Sequence, residues 1–217
     1  MNQQSGPQDP LVLSYLALRK AVGIIGFSLP FVLAIGGFFA LHARLQTTMS
    51  DYYYTGMRNI FVASLCAIGI FLMSTRGYDR RDEIAGRLAS AFAIGVAFFP
   101  TTPDVCPTHQ ARIIGTAHLS SAALFYLTLA YFSLALFTQT TLENCPTRQK
   151  LQRNIVYRVC GYVILACLAL ILVVKLSPTN PRFARIDPIF WLESIASVSF
   201  GVSWLVKGET ILKDQES

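Results

Sequence analysis

Charge is what this sequence has least of. Only 14% of its 217 residues are Asp, Glu, Lys or Arg, where a soluble globular domain carries about 25%. A chain with so little polar surface cannot cover a water-soluble fold. Its 53% hydrophobic residues, a mean hydropathy of +0.47 and apolar runs too long for a core helix assign it to the membrane. Histidine is also scarce: His42, His109 and His118 are the only three, and no HExxH or HxxxH spacing is present to build a zinc site on one helix. The five cysteines, Cys66, Cys106, Cys145, Cys160 and Cys167, contain no CxxC pair, which removes zinc knuckles and thioredoxin-like redox motifs. Disorder, a coiled coil and a secreted disulfide scaffold are excluded as well. There is no room for a separate water-soluble catalytic domain.

Acidic residues are outnumbered, 12 against 18 basic, for a formal charge of +6 and a pI near 9.2. In a soluble protein this would raise nucleic-acid binding. Here no basic stripe interleaved with aromatics lies on an exposed segment, so no nucleic acid is expected as a partner, and the excess reads as membrane topology.

What the sequence does have is six apolar stretches, at about 21–41, 56–74, 84–99, 113–137, 155–176 and 189–206. Each approaches the ~20 residues that cross a ~30 Å hydrocarbon core. The expected fold is therefore all-α, a six-transmembrane-helix bundle, with a leader at 1–20, one membrane domain at 21–207 and a tail at 208–217. The third stretch is short and must borrow from its flanks. The first is too long for the apolar core of a cleavable signal and is preceded by a polar leader. Its Pro30 and the pair Gly36 and Gly37 are tolerated better in a membrane helix than in a soluble one.

Lys and Arg are divided unequally between the two ends. Arg19, Lys20, Arg76, Arg80, Arg81, Arg87, Arg148, Lys150, Arg153, Arg158, Lys207 and Lys213 fall on one side; Arg44, Arg58, Arg112, Lys175, Arg182 and Arg185 fall on the other. The positive-inside rule places both termini in the cytoplasm. On the third span, Ala89, Ala93 and Ala97 recur at a spacing of four, with Ala91 and Gly95 beside them. Small residues at that spacing let helices approach closely, so this span belongs at the centre of the bundle. The segment Arg76-Gly77-Tyr78-Asp79-Arg80-Arg81-Asp82-Glu83 reads as a solvated topogenic loop, with headgroup binding as the alternative.

The opposite rim gathers chemistry that topology does not require. Ser50-Asp51-Tyr52-Tyr53-Tyr54-Thr55-Gly56 and Arg58 follow the first span. Phe99-Pro100-Thr101-Thr102-Pro103-Asp104 closes the third. His109, Arg112 and His118 surround the start of the fourth, and Asp187-Pro188-Ile189-Phe190-Trp191-Leu192-Glu193 opens the sixth. His118 and Glu193 fall inside spans, where ionisable groups are costly and face the bundle interior. Ser121 and Ser197 lie on the same helix faces as these two residues, so both stripes can line one cavity.

Three readings compete for this rim. Glu193 or Asp51 pairs with Arg58 or His118 and locks the helices. Alternatively Arg58, Arg112, Arg182 and Arg185 take a lipid phosphate while the tyrosines and Trp191 sit at the interface. In the third, Asp51, His118 and Glu193 ligate a divalent metal such as zinc, with Ser50 or Tyr53 assisting attack on an ester, amide or phosphate. The ligand-binding candidates are thus Asp51, Tyr53, Arg58, His118, Arg185 and Glu193, and the catalytic candidates Ser50, Asp51, His118 and Glu193.

Six spans with both ends inside, Ser50-Asp51 ahead of Gly56, Phe99-Pro100 closing span three and His118 in span four together resemble the bacterial six-helix membrane proteins related to the Frag, DRAM and Sfk group. The resemblance covers about residues 20–207. It implies a bacterial inner-membrane protein concerned with lipid handling or membrane organisation, with membrane lipids as partners. A more distant similarity is to alkaline ceramidase and PAQR-like membrane hydrolases, which hold zinc with a Ser, an Asp and three His. This chain departs from them by lacking the paired late-helix histidines. The leading expectation is a pocket for a lipid or amphipathic ligand; the alternatives are a metal-dependent lipid hydrolase and a small carrier coupled to an ion at Glu193.

Overall fold

The computed structural model describes residues 10–41, 44–74, 79–103, 105–139, 147–177 and 186–210. His42, Arg76, Asp104, Cys145, Arg182 and Arg185, all named above, lie outside them. The described residues form helices and connecting turns, without strands. The helices are α1 (Pro10–Leu41), α2 (Arg58–Met73), α3 (Arg80–Phe98), α4 (His109–Tyr131, continued by a wider π-turn over Phe132–Leu136), α5 (Arg148–Leu176) and α6 (Pro188–Lys207), with a 3₁₀ turn at Ser50–Tyr54 between α1 and α2. The six apolar stretches and the six helices coincide to within a few residues, except at the starts of α1, α3, α4 and α5.

Those four differences have physical reasons. Pro10 sits at the start of α1, where its missing N–H costs nothing, and the leucine-rich residues after it propagate the helix through what reads in sequence as the leader. The third helix borrows Arg80 to Glu83 from the charged loop, and the Asp82 carboxylate accepts a hydrogen bond from the Asp79 N–H at 3.2 Å to open its first turn. Thr108 and Thr147 start α4 and α5 earlier than the apolar run. Their hydroxyls accept from Ala111 N and Lys150 N, each at 3.1 Å, an N-cap worth about 1 kcal/mol.

Among the described residues, four helices are long and apolar enough to cross a membrane, namely Leu16–Phe39, His109–Leu136, Arg148–Leu176 and Pro188–Lys207. This marks the chain as a membrane protein. Helix α2 is apolar but shorter: its 16 residues span about 24 Å. Bulky side chains such as Phe31, Phe38, Phe39, Leu172 and Val173 point outward, which suits contact with lipid and would be a liability in water.

Helix α6 packs on α1 and α5, while α3 packs on α2 and α4. As expected for a central helix, Ala89, Ala93 and Ala97 of α3 are fully buried; Ala91 faces out, and Gly95 lies against Ser121. The α1/α6 contact is closer still. A methyl group on Gly201 would stand 2.5 Å from the backbone nitrogen of Phe27, so the two helix backbones touch there. Pro30 of α1 has no N–H to offer the Gly26 carbonyl. Ser197 of α6 supplies the missing donor, its hydroxyl reaching that carbonyl at 2.7 Å.

Near the other end of α6, Trp204 is enclosed by Phe132, Phe137 and Phe200 at centroid distances of 5.3–6.0 Å, all edge-to-face. Close by, the buried hydroxyls of Ser133 and Ser203 bond to each other at 2.8 Å, joining α4 to α6.

Candidate functional site

The connection from α1 to α2 turns inward instead of running over the bundle end. Gly36 and Gly37, tolerated in a membrane helix, here serve as seats: a side chain on Gly37 would strike the Tyr52 ring, and one on Gly36 the tip of Met57. Tyr52 is accordingly fully buried, against Phe190 of α6. Burial pushes its phenol above the ordinary pKa, keeping the hydroxyl protonated.

Two hydrogen bonds strap this connection to the first turns of α6. Phe190 N–H, one of the donors a helix start leaves unpaired, bonds to the Thr47 carbonyl at 3.1 Å. The Met49 N–H donates to the Glu193 carboxylate at 2.7 Å. Asp51 is held separately: the Thr47 hydroxyl donates to it at 2.6 Å and the Thr101 hydroxyl at 3.2 Å. Tyr54 then closes the ring by donating to the Thr101 carbonyl at 2.5 Å. The segment after α3 is thereby tied to the segment after α1.

His118 is 4% exposed. Its Nδ1 lies 2.6 Å from the Phe99 carbonyl, and because a carbonyl only accepts, Nδ1 carries the proton. The ring therefore clamps α4 to the end of α3. His118→Leu, similar in volume but unable to donate, leaves that carbonyl without this partner. A loss of about 1–3 kcal/mol is expected, read as a lower melting temperature of the purified protein, with His118→Gln recovering part of it.

Below the polar ring lies a narrow cavity with about 40 Å³ of room for water, lined by residues of α1, α2, α3, α4 and α6 and of the α1–α2 connection. That is enough for one or a few water molecules. Its walls include Leu29, Phe61, Leu65, Phe125 and Phe200, and its polar groups belong to Ser50, Tyr126, Glu193 and Ser197. The Tyr126 hydroxyl reaches the Glu193 backbone carbonyl at 3.3 Å.

The structure brings Ser50, Glu193 and Ser197 to one cavity, and places Asp51 close enough to act electrostatically on both Glu193 and His118. It does not bring His118 or Ser121 to that cavity's wall. The Arg58 guanidinium stacks over the Tyr53 ring at 4.2 Å and donates to the Tyr53 hydroxyl at 2.5 Å, on the exposed rim. Neither Asp51 nor Glu193 has an ion pair with Arg58 or His118: the two ion pairs seen among the described residues, Arg81–Asp79 and Arg87–Glu83, are exposed and at the other end. The helix-locking reading is corrected accordingly, because hydroxyls and backbone N–H groups hold both carboxylates. Among the described residues no three His, Cys, Asp or Glu side chains meet in the manner of a metal site, so Asp51, His118 and Glu193 are not assembled as zinc ligands. Cys66, Cys106, Cys160 and Cys167 are free thiols.

Sequence reasoning named Thr101 on the rim without a role and missed Thr47, Tyr126 and the Met49 N–H. Tyr126 lies eight residues after His118, about 80° around the helix, so spacing from His118 does not single it out. The threonine hydroxyls and the backbone donor depend on how the connection folds, and no spacing encodes them. No family model, curated protein or solved structure matches this chain.

Proposed function

We infer that the chain is a multi-pass protein of a bacterial inner membrane, its six helices spanning the bilayer with both termini cytoplasmic, and that the polar end formed around Glu193 and Asp51 binds a lipid or other amphipathic molecule in lipid handling or membrane organisation. One observation carries this reading: Glu193 stands where a ring of polar groups meets a cavity walled mainly by apolar side chains. An amphiphile has the same division. The Arg58–Tyr53 stack at the rim offers a cation for a phosphate, Asp51 and Glu193 accept hydrogen bonds or face a cation, and Tyr54 lies at interface level. The resemblance to the Frag, DRAM and Sfk group supports the same theme.

Phospholipid retained through gentle purification tests this. Arg58→Ala removes an exposed side chain, so the melting temperature stays near wild type, and retained anionic phospholipid falls about tenfold, the loss of one charge-assisted contact. Full retention in a folded Arg58→Ala protein refutes a headgroup site at this rim.

A second reading rests on a separate observation. Glu193 is a carboxylate inside an apolar helix with a water-sized cavity beside it and no basic ion-pair partner among the described residues. Intramembrane acids of this kind serve proton and cation pathways. A small carrier gated at Glu193 would show pH-dependent uptake that Glu193→Gln abolishes.

A further inference from the structure

The outer face where α3 meets α4 carries a groove that the site around Glu193 does not use. About 330 Å³ of open space lies between the two helices there. Ile84 and Leu88 of α3 form one wall, Leu124 and Leu127 of α4 the other, and each of the four is 43–48% exposed. Ala85 is buried at the same groove, a small residue where a larger one would fill the space. Thr128 borders it as well, but its hydroxyl donates to the Leu124 carbonyl at 2.7 Å, so that O–H is committed within its own helix. The length of the groove is therefore apolar.

One end of it is not. Arg81 in the first turn of α3 and Tyr131, the last residue of α4, line the groove where it reaches the Lys- and Arg-rich end of the bundle. Arg81 is not a lone cation: its Nε lies 3.7 Å from the Asp79 carboxylate, and both side chains are more than half exposed. An exposed pair at that distance is weak, so both charges stay open to a ligand. An apolar cleft, an aromatic ring at the level where membrane proteins place them and a cation beside an anion follow one another along this face. A phospholipid has the same succession of acyl chain, ester region and headgroup.

The two signs select the headgroup. A net-anionic headgroup gains Arg81 for its phosphate and is repelled by Asp79. In a zwitterionic headgroup the phosphate faces Arg81, whose planar fork suits it, and the ammonium faces Asp79. A primary ammonium donates hydrogen bonds to that carboxylate; a trimethylated one has no N–H to donate.

We propose that the α3–α4 groove binds phosphatidylethanolamine of the adjoining leaflet, one acyl chain lying between Leu88 and Leu124, the phosphate on Arg81 and the ammonium on Asp79. Of the two sequence readings of the charged segment before α3, this takes headgroup binding over a purely topogenic loop. The site rests on α3 being a membrane span, and it stands whether or not the pocket around Glu193 holds an amphiphile.

Thermal melting of the full chain, stripped of lipid in detergent and titrated with short-chain phosphatidylethanolamine, phosphatidylcholine or phosphatidylglycerol, tests this. Saturable stabilisation is expected, with phosphatidylethanolamine acting at the lowest concentration. Arg81→Gln raises that midpoint about tenfold, the loss of one charge-assisted contact. Asp79→Asn retains a side chain equally suited to the start of a helix and removes the preference for phosphatidylethanolamine over the other two. Arg80→Gln, an exposed neighbour that does not line the groove, and Arg58→Ala at the opposite rim leave the midpoint unchanged. The comparison of the three lipids on wild type needs no variant to fold. Phosphatidylcholine or phosphatidylglycerol equal to phosphatidylethanolamine overturns the proposal, and so does an Arg80→Gln protein weakened as much as Arg81→Gln. So, too, does a wild type indifferent to all three lipids that sediments as a dimer which Leu127→Asn separates, because the groove then holds a second copy of the chain.

Discussion

Gly201→Ala is expected to be among the most damaging single-methyl additions in this chain, lowering stability by about 1–3 kcal/mol or more through overpacking. The added carbon would lie 2.5 Å from Phe27 N and 2.7 Å from Phe27 Cα, and backbone cannot rotate aside. Relief requires α1 and α6 to separate, which also stretches the Ser197 hydroxyl away from the Gly26 carbonyl that Pro30 leaves without its helical donor. An unpaired carbonyl in an apolar interior adds its own penalty. Gly36→Ala, on α1, provides the contrast. There the methyl meets only the thioether end of Met57, a flexible chain that can change rotamer, so the loss stays under about 1 kcal/mol. Thermal melts of the two variants in one detergent make the comparison. Equal melting temperatures would show that α1 and α6 do not pack this closely.

The contrast also marks what could be read from the residues. Composition identifies a membrane protein because the hydropathy of whole segments decides partitioning, and helix positions follow from the same segments to within a few residues except at the starts of α1, α3, α4 and α5. The Ala89, Ala93 and Ala97 stripe predicts its own burial because spacing on a helix is local geometry. Which helices meet is not local. Gly23, Gly26 and Gly201 lie on spans at opposite ends of the sequence, and nothing in either one names the other. The same limit governs the site. Asp51 and Glu193 stand out as acids out of place, yet their partners proved to be the Thr47 and Thr101 hydroxyls and the Met49 N–H. Hydroxyls are too common to single out, and a backbone N–H leaves no trace in sequence. Charge pairing with Arg58 was the obvious expectation from unlike signs near one rim; the Tyr53 ring holds Arg58 instead.

Glu193 is where structure and function can be separated experimentally. Its Oε2 accepts the Met49 N–H at 2.7 Å, and Met49 is 4% exposed, so the carboxylate fixes the turn that carries Ser50 and Asp51. Glu193→Leu removes the acceptor and strands a buried N–H, at a cost of about 1–3 kcal/mol, and the whole rim is expected to loosen. Glu193→Gln keeps a carbonyl oxygen at the same reach. The strap survives and the melting temperature stays close to wild type, while the negative charge is gone. If the carboxylate contacts the headgroup of a bound amphiphile, Gln weakens retention of that lipid about tenfold, the difference between a charged and a neutral acceptor, with folding intact. If it carries a proton or cation through the bundle, Gln leaves lipid retention untouched and abolishes pH-dependent uptake. A Glu193→Gln protein equal to wild type in both assays would reduce the residue to its strap on Met49, and with it remove the observation on which both functional readings rest.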